Sequence, residues 1–496
     1  MITSDLWIGV DAGTTQTKAI LFNSVGTVIA EATVHVRSFY PHPGWVEQDP
    51  WDLVQAVIET IRAVLNDPRR QGRAIAGLGL ANQGETVVAW DASTGQPLAP
   101  AIGWQCRRTE SLCVQLKTTK LAPMIAAISG LPIDPYFSST KMMWLLKKSE
   151  AVRAARQRGT LRLSTTDSWI LHHLLTDPPY ITDVATASRT QLLNIDVGVW
   201  SENLLEAFGI REVELPNIVP NAYIIGRTNK EKVGETIDVA GLAVDQQAAL
   251  FGHGCVQTGQ AKVSYGTGAF VLANAGHQRP NIPGLLPTIA WQLPGQRLVY
   301  AVDGGVLTAG AAIEWLVDMG ILTSVEDSNE VENDIEDENL VFVPALAGLG
   351  APWWNPAARG TVWGIHRGTT PHQLVQAVLR GIAHRIDDIV QQLYAHHGGL
   401  TELRCDGGPT RNPYLMQYQS DILGVPVKVS SIEDLAAWGV ARLAMVAKGI
   451  DPNNSTPAAF TREYFPHRDG DWRLRQRARW RQAVRRAESL ESQGDH

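Results

Sequence analysis

The spacing of apolar residues predicts that the chain opens with three strands and a helix. Short apolar runs at residues 6–10, 17–22 and 27–36 are separated by turns that contain glycine, as expected for adjacent strands. Residues 50–65 instead repeat apolar side chains at the interval of a helix face, and residues 75–80 form one more buried strand. The pattern therefore indicates a β-β-β-α-β unit.

A similar order of elements recurs in the second half of the chain. Apolar runs predict strands at 298–302, 340–343 and 403–405 and helices at 309–319 and 371–394. An internal duplication is the simplest account of this recurrence.

The expected boundary between the halves lies in or just before residues 240–255. There, a predicted strand at 239–244 leads into a short helix at 246–251. A chain of 496 residues is also too long for a single core. We accordingly expect two domains, 1–250 and 251–496.

Two turns rich in glycine and threonine are the first candidates for a functional site. DAGTTQTK at residues 11–18 and SYGTG at residues 264–268 each join two predicted strands. A turn of small residues exposes backbone N–H groups and hydroxyls toward one point, which suits a polyphosphate. The GxxxxGK[ST] phosphate loop, which leads into a helix, is absent from the sequence. We expect the two turns to hold a nucleotide from two sides.

Composition narrows the class of protein. Apolar residues make up 44% and charged residues 19% of the chain, as in an ordinary globular protein. The net charge of -7 argues against a nucleic-acid partner or an anionic membrane surface. No apolar stretch reaches membrane-spanning length and the N-terminus lacks a signal-peptide pattern, so the cytoplasm is the expected compartment. The four cysteines form no C-x-x-C pair, and we expect them to be reduced and mostly buried.

Two charged segments need a separate interpretation. Residues 326–338 are acidic, and residues 473–486 are basic with tryptophans nearby. Both contain apolar residues at helical spacing, so we expect solvated helix faces rather than nucleic-acid surfaces.

Asp11 is a candidate metal ligand because it lies directly beside the first turn. A carboxylate there would be repelled by phosphate unless a divalent cation lay between them, which predicts Mg²⁺. A turn-forming aspartate is the alternative. Thr14 and Thr15 add hydroxyls, and Lys18 supplies a point charge for the transferred phosphoryl group.

Asp245 is a candidate general base at the start of the predicted short helix. An N-cap is the structural alternative, and one residue can serve both purposes. Asp406, Gly407 and Gly408 form a junction between a strand and a helix. Such a junction lets a flat group approach the backbone, which suggests the nucleoside end of the nucleotide.

In chain order these segments resemble the FGGY family of carbohydrate kinases, and within it the glycerol kinases. The similarity runs over essentially the whole chain and includes PGWVEQDP at 43–50, NQGET at 82–86, GWQCRRT at 103–109, YFSSTK at 136–141, TDVATASRT at 182–190, DQQAALFG at 245–252 and GLGAPWW at 348–354. The resemblance implies an α/β fold of two RNase H-like domains, as in the actin-like ATPases, around a central cleft. It also implies that residues 1–250 bind the substrate and residues 251–496 bind ATP.

The resemblance further implies a role for individual residues, with Asp245 as the base and Asp11 as the Mg²⁺ ligand. The substrate side comprises Gly84, Glu85, Trp104, Tyr136, Asp245 and Gln246. The ATP side comprises Thr14, Thr15, Lys18, Gly266, Thr267, Gly310, Ile313, Gly407, Gly408 and Asn412. Two positions depart from the family pattern, because Gly84 stands where an arginine is usual and Cys106 where an aspartate is usual. Loss of the arginine would weaken glycerol binding and open space for a further CHOH unit.

The implied activity is transfer of phosphate from ATP to a terminal hydroxyl of a small polyol, with glycerol as the first expectation and sn-glycerol 3-phosphate as the product. Gly84 and Cys106 leave a four-carbon polyol or a ketopentose open as substrate. A regulatory protein that binds nucleotide without turnover is a further alternative. Homodimer and homotetramer both stay open as assemblies.

Overall fold

A computed structural model describes residues 5–330, 338–451 and 459–488. The chain divides into two compact units. The first unit comprises Met1–Gly254, Thr288–Tyr300 and Asp434–Ala458, and the second comprises Cys255–Pro287, Ala301–Glu433 and Ala459–His496. Among the described residues, no helix combines the length and apolar character needed to cross a membrane.

The strands are, in chain order, Leu6–Ala12 (β1), Gln16–Asn23 (β2), Val28–His35 (β3), Ser38–Phe39 (β4), Glu47–Gln48 (β5), Ile75–Asn82 (β6), Val87–Asp91 (β7), Gln96–Pro97 (β8), Ala101–Ile102 (β9), Leu161–Thr165 (β10), Ile181–Asp183 (β11), Leu193–Asn194 (β12), Val199–Trp200 (β13), Asn217–Val219 (β14), Ala222–Arg227 (β15), Asp238–Val244 (β16), Gln260–Tyr265 (β17), Ala269–Gly276 (β18), Leu286–Trp291 (β19), Val299–Val306 (β20), Val341–Val343 (β21), Thr361–Trp363 (β22), Glu402–Gly407 (β23), Val427–Ser430 (β24) and Phe460–Tyr464 (β25). The α-helices are Pro50–Leu65 (α1), Glu110–Lys117 (α2), Leu121–Ser129 (α3), Ser138–Lys148 (α4), Glu150–Arg158 (α5), Thr166–Leu174 (α6), Val184–Ser188 (α7), Glu202–Phe208 (α8), Lys230–Val233 (α9), Asp245–Gly252 (α10), Gly310–Asp318 (α11), Pro371–His397 (α12), Pro413–Leu423 (α13), Leu435–Ala447 (α14) and Gly470–Glu488 (α15).

The main sheet of the first unit has the strand order β15-β16-β6-β1-β2-β3. Its three central strands β16, β6 and β1 are parallel, whereas β2 and β3 continue from β1 as an antiparallel meander. Ala12 pairs with Asn82, and Asn82 pairs with Val244 on its other side. The carboxyl ends of the three parallel strands are therefore level, and the residues that follow them lie along one edge of the sheet.

The second unit repeats this topology. Within a seven-stranded sheet, its strands have the order β20-β18-β17-β23-β24-β25. As in the first unit, the strand at the centre pairs antiparallel with its hairpin partner (β17 with β18) and parallel with the strand after the long helix (β17 with β23). The predicted recurrence of strand and helix order is confirmed.

The predicted helix at 50–65 is present with those bounds as α1. The Asp49 side chain caps it by accepting a hydrogen bond of 2.8 Å from the backbone N–H of Trp51. Pro50 lies in the first turn, where its missing N–H costs nothing. The buried face of α1 packs on β2 and β3 and covers one side of the sheet.

Helix α14 covers the other side of the first sheet, although it comes from the C-terminal part of the chain. It packs so closely that backbone meets backbone at glycines. A Cβ atom would lie within 2.4 Å of a carbonyl oxygen of α14 at Gly9, Gly79 and Gly241 of the sheet. The same holds between α14 and α10 at Gly252 and Gly439. Such distances lie far inside van der Waals contact, so only glycine permits this approach.

The charged segments fold differently from each other. The basic segment is part of α15, as predicted, with Trp472 and Trp480 on its buried side. Of the acidic segment, Glu326–Glu330 forms a 3-10 turn and residues 331–337 lie outside the described residues. The four cysteines are free and buried, as expected.

A buried pair of aspartates beside β6 predicts a pH-dependent stability. Asp183 accepts hydrogen bonds from the N–H and the hydroxyl of Thr186 (2.9 and 2.6 Å) and from Nδ2 of Asn221 (2.8 Å). Burial, reinforced by the charge of Asp167, raises the pKa of Asp183 from 3.8 to about 7. Between these two pH values the folded chain keeps a proton that the unfolded chain has lost, so stability falls as pH rises.

We expect Asp183→Asn to remove this dependence, because asparagine keeps the acceptor oxygen and its NH₂ can donate to Thr186. The free energy of unfolding should be measured in urea at pH 5 and pH 7. Between these pH values it should fall more for the wild type than for the variant, by about 1.4 kcal/mol per pH unit at most. Equal slopes for wild type and variant would contradict this account of Asp183.

Candidate active site

The carboxyl ends of the three parallel strands in the first unit carry the acidic candidates. Asp11 is the penultimate residue of β1, Glu85 follows β6, and Asp245 follows β16 directly. Because these ends are level in the sheet, the three side chains are close enough for their charges to interact: Asp245 raises the pKa values of both Asp11 and Glu85. The structure thus assembles one acidic centre from distant parts of the sequence.

Asp11 and Lys18 face each other as cross-strand partners on β1 and β2. Burial raises the pKa of Asp11 well above its ordinary value, the charges of Asp434 and Asp245 raise it further, and Lys18 lowers it. Oδ1 of Asp11 is buried and has no hydrogen-bond partner among the described residues. A desolvated carboxylate oxygen of this kind suits a cation.

Asp434 belongs to the same centre, although it did not stand out in the sequence. Its Oδ2 lies 3.9 Å from Nζ of Lys18, and its Oδ1 caps α14 by accepting from the N–H of Ala437 at 2.9 Å. The close packing of α14 on the sheet brings Asp434 here. No local pattern indicates a contact across more than 400 residues of sequence, so only the tertiary fold reveals this carboxylate.

Thr14 is the centre of a hydrogen-bond network at the first turn. Its hydroxyl accepts from Nε1 of Trp104 at 2.9 Å and donates to Oε1 of Gln83 at 3.1 Å. Nε2 of Gln48 donates to the Thr14 carbonyl at 2.7 Å, and Nε2 of Gln83 donates to Oε1 of Gln48 at 2.9 Å. Thr15, the next residue, is exposed. Gln48 and Gln83 lie within motifs of the sequence, but their amides gave no sign of this supporting role.

Trp104 and Tyr136 form an aromatic corner on the substrate side of the predicted site. Their rings are nearly perpendicular, at 86°, with centroids 5.6 Å apart. Glu85 lies beside this corner, and its Oε1 accepts a 2.7 Å hydrogen bond from Nε of Arg189, whose guanidinium lies 5.7 Å from the ring of Tyr136. Apolar ring faces next to a carboxylate suit a ligand that carries both C–H and hydroxyl groups.

Asp245 is the first residue of α10, and Val244 holds the N-cap position that the sequence had suggested for Asp245. The carboxylate of Asp245 accepts from the N–H of Gln246 at 2.7 Å and from its Nε2 at 3.2 Å. Both residues are half-buried. A carboxylate in the first helical turn is favoured by the helix dipole, which helps to keep it charged.

The two departures from the family pattern have structural explanations. A Cβ atom on Gly84 would lie 2.9 Å from Cγ2 of Val244, so a methyl group already occupies the space beside this glycine. Cys106 is fully buried, and its Sγ accepts a hydrogen bond from Nε of Arg108 at 3.0 Å. The space at the Cβ position of Gly84 is therefore already filled. This position does not support the expectation that Gly84 leaves room for a longer substrate.

In the second unit the predicted nucleotide residues form a cluster of backbone surfaces. The turn after β17 meets the start of α11, where the N–H of Gly310 donates to the carbonyl of Gly266 at 2.9 Å and the N–H groups of Ala309 and Ala311 donate to that of Thr267 at 2.8 and 3.1 Å. Gly266 and Thr267 are exposed. A Cβ on Gly266 would meet no atom closer than 4.0 Å, so a ligand can approach the backbone there.

The end of β23 completes this cluster. Gly407 has φ of +94°, and a Cβ there would lie 1.9 Å from the carbonyl of Tyr265, so only glycine fits. A Cβ on Gly408 would meet nothing within 4 Å. Asn412 is buried and caps α13 through the N–H of Leu415 at 2.8 Å. Ile313, the second predicted residue of α11, is buried.

A buried network that the sequence did not indicate lies behind the second turn. Lys262 is fully buried, and its Nζ donates to Oγ of Ser264 at 2.9 Å. Ser264 in turn donates to Oδ2 of Asp406 at 3.0 Å. The network joins β17 to β23 immediately before the two glycine turns and so fixes their spacing.

Comparison with known proteins identifies the family of this chain. The sequence pattern of the FGGY family of carbohydrate kinases, N-terminal domain, matches residues 6–252, and that of the C-terminal domain matches residues 261–448. The chain belongs to the FGGY family of carbohydrate kinases. This kinase is 41% identical over 487 residues to the glycerol kinase of Symbiobacterium thermophilum, which covers 97% of this chain and 98% of the relative. It is 39% identical to glycerol kinase 2 of Thermotoga maritima over 487 residues, again 97% and 98% of the two chains.

A solved structure supports the fold of this FGGY kinase. The glycerol kinase of Plasmodium falciparum, crystallised with ADP, has a TM-score of 0.92 at 29% identity and covers 97% of this chain and 98% of its own. The α/β fold with two RNase H-like domains of the actin-like ATPase type, predicted from sequence, is confirmed. Kinases of this family use ATP with Mg²⁺.

The residues of this kinase fit such a metal ion. Asp11 provides a buried carboxylate oxygen without a hydrogen-bond partner among the described residues, and the charges of Asp245 and Asp434 reach it. No group of three or more His, Cys, Asp or Glu side chains in the described part of the chain could by itself ligate a metal. Proteins usually bind Mg²⁺ through one or two carboxylates with water and substrate phosphates, and Asp11 offers one such carboxylate.

Proposed function

We propose that this kinase transfers the γ-phosphoryl group of ATP to a terminal hydroxyl of a small polyol, with glycerol as the substrate and sn-glycerol 3-phosphate as the product. The arrangement of Glu85, Trp104 and Tyr136 beside Asp245 carries the proposal, because it combines apolar ring faces, a hydroxyl acceptor and a base. Full-length similarity to relatives named glycerol kinase supports it.

Substrate binding would use the aromatic corner and the polar groups around it. Trp104 and Tyr136 would pack against the C–H face of the polyol, while Glu85 and Gln246 would hydrogen-bond its hydroxyls. Cγ2 of Val244 lies 2.9 Å from the position that a Cβ would take at Gly84. Glycerol is the first proposed substrate, and a four-carbon polyol or a ketopentose is the alternative.

Asp245 would act as the general base. Its carboxylate would accept the proton of the attacking hydroxyl as the oxygen bonds to phosphorus. Its place at the start of α10 fixes its position, and the bond from the N–H of Gln246 holds it in one orientation. Positioning and electrostatic stabilisation account for most of the catalysis in phosphoryl transfer.

The charge of the transferred group would be stabilised by Lys18 and by the hydroxyls of Thr14, Thr15 and Thr267. Asp11 would hold Mg²⁺, which when bound neutralises phosphate charge. The retention of these groups together argues against a nucleotide-binding regulator that has lost turnover.

The nucleotide would be bound mainly by the C-terminal domain, residues 251–496, and the polyol by residues 1–250. Exposed backbone at Gly266 and Gly408 supports this division, since phosphates and flat bases both need close access to main chain. The other residues proposed for this side are Gly310, Ile313, Gly407 and Asn412. Free, buried cysteines support a reducing compartment, so we keep the cytoplasm as the proposed location.

A substrate panel tests the proposal. ADP release should be measured with glycerol, erythritol and ketopentoses at equal concentrations, with ATP alone as the background. We expect kcat/KM for glycerol to exceed that for each larger substrate by about ten-fold or more, since a pocket that fits one substrate discriminates to that extent. A higher value for a larger substrate would refute glycerol, and no ADP release with any substrate would refute a kinase for small polyols.

A further inference from the structure

The backbone of Glu85 is strained and held in place from several sides. Its φ of +58° lies in the left-handed region, which residues other than glycine rarely adopt. Its carbonyl accepts hydrogen bonds from Oγ of Ser138 at 3.1 Å and from Nζ of Lys141 at 3.3 Å. Lys141 also donates to the carbonyls of Tyr136 and Phe137 at 2.5 and 3.4 Å. Strain that the surroundings enforce in this way is typical of functional positions.

The side chain of Glu85 is paired with a cation from a different segment. Nε of Arg189, just after α7, donates to Oε1 of Glu85 at 2.7 Å. The two side chains are only 4% and 5% exposed. The Arg189 guanidinium also lies 5.7 Å from the ring centroids of Tyr136 and Phe137, within the range of cation–π attraction. Arg189 therefore contacts the carboxylate and the aromatic corner together.

The protonation of Glu85 depends on groups from three elements. Burial raises its pKa, the charge and hydrogen bond of Arg189 lower it, Lys141 of α4 lowers it, and Asp245 of α10 raises it. Lys141 acts on the backbone carbonyl, whereas Arg189 acts on the carboxylate itself. Of these groups, Arg189 therefore stabilises the buried charge of the Glu85 carboxylate most directly.

We propose that Arg189 is a positioning residue that sets substrate specificity, by holding Glu85 as a buried anion in the orientation that accepts hydrogen bonds from two hydroxyls of the polyol. The inference rests on the proposed function. A neutral carboxylic acid can donate one hydrogen bond and accept others, but none of these bonds is charge-assisted. Each hydroxyl of the substrate would then contribute less to affinity, and a diol would lose less relative to a triol. With Arg189 in place, each hydroxyl that contacts Glu85 makes a charge-assisted hydrogen bond.

Substrates that lack one hydroxyl test the inference. The values of kcat/KM for glycerol, 1,2-propanediol and 1,3-propanediol should be compared in the wild type, Arg189→Gln and Arg189→Lys. We expect Arg189→Gln to reduce kcat/KM for glycerol about ten- to a hundred-fold, mostly through KM, because a hydrogen bond to a charged group is lost. For at least one propanediol, the decrease in kcat/KM should be several-fold smaller. The ratio of kcat/KM for glycerol to that for this propanediol should therefore fall.

The conservative variant and the pH profile separate positioning from folding. Arg189→Lys keeps a cation near Glu85 and should restore part of the preference for glycerol. In Arg189→Gln the acidic limb of the profile of kcat/KM against pH should move to higher pH, since Glu85 loses the charge that lowers its pKa. If Arg189→Gln does not fold, Arg189→Lys is compared with the wild type instead. The values of kcat/KM for glycerol and the two propanediols then test the inference.

A matched ion pair in the same unit supplies the control. Nε of Arg156 lies 2.8 Å from Oε1 of Glu214, whose side chain is only 4% exposed. Arg156→Gln removes an arginine paired with a buried glutamate outside the predicted site, although Arg156 itself is 23% exposed. We expect it to keep the substrate preference and pH profile of the wild type. Two results would overturn the inference even if the wild type phosphorylates glycerol. One is an equal decrease in kcat/KM for all three substrates in Arg189→Gln. The other is a change in substrate preference and pH profile in Arg156→Gln that matches the change in Arg189→Gln. Failure of the wild type to phosphorylate glycerol would instead refute the proposed function and the inference with it.

Discussion

Asp245→Asn is expected to abolish glycerol phosphorylation while ATP still binds. The amide side chain keeps the shape of the carboxylate and an acceptor for the N–H of Gln246, but it cannot take up the proton of the attacking hydroxyl. General base catalysis contributes about 10²–10⁴ to a rate, so turnover should fall by at least about a hundred-fold. Coupled ADP-release assays measure the turnover, and calorimetric titration measures the affinity for ATP.

Asp471→Asn is the control for this variant, because Asp471 is an exposed acidic residue in the first turn of α15, outside the predicted site. It should retain full turnover. An Asp245→Asn protein that phosphorylates glycerol at close to the wild-type rate would show that another group accepts the proton. Loss of ATP binding together with turnover would indicate that Asp245 has a structural role.

Gly439→Ala is expected to produce the largest loss of stability among single methyl additions to the first unit. The new Cβ would lie 1.8 Å from the carbonyl oxygen of Ala248 and 3.1 Å from the backbone nitrogen of Gly252. The obstructing atoms are backbone, so α14 would have to move away from α10 and the sheet. Overpacking of a core costs about 1–3 kcal/mol where side chains can adjust, and we expect at least about 3 kcal/mol here. Urea unfolding followed by tryptophan fluorescence measures the loss.

Gly470→Ala is the matched control, since a Cβ at Gly470 would meet nothing within 4 Å. This substitution should leave the unfolding midpoint close to that of the wild type. Because Asp434 begins α14, Gly439→Ala should also displace this carboxylate from Lys18 and reduce activity even where the protein still folds. Unchanged midpoints for both variants would mean that α14 does not pack as closely as the structure indicates.

Local signals in the sequence were sufficient for much of the fold. The bounds of α1 follow from a capping aspartate, a proline and a helical apolar pattern, all within residues 49–65. The turns around Thr14 and Thr267 were predictable because small residues between two apolar runs have few other interpretations. Asp11 and Asp245 were also predicted locally, because Asp11 lies beside the first turn and Asp245 lies at the start of a predicted short helix.

Contacts between distant segments could not be predicted in this way. Arg189 lies in a recognised motif, yet no pattern in its own segment indicates that it would pair with Glu85. Asp434 depends on how α14 docks. A methyl group of Val244, which is distant in sequence, lies beside the Cβ position of Gly84. Each of these outcomes depends on tertiary packing, which composition and periodicity do not encode position by position.

The origin of α14 has a consequence for synthesis of the chain. The first unit begins with β1 at Leu6, but the helix that covers one side of its sheet ends at Ala447. A ribosome must therefore translate the chain as far as Ala447 before this unit can close. Until then, the face of the sheet that carries Gly9, Gly79 and Gly241 is exposed. A fragment that ends at the boundary near Gly254 would lack α14 on this face. The first unit therefore begins near the start of the chain but can fold completely only after α14 has been synthesised.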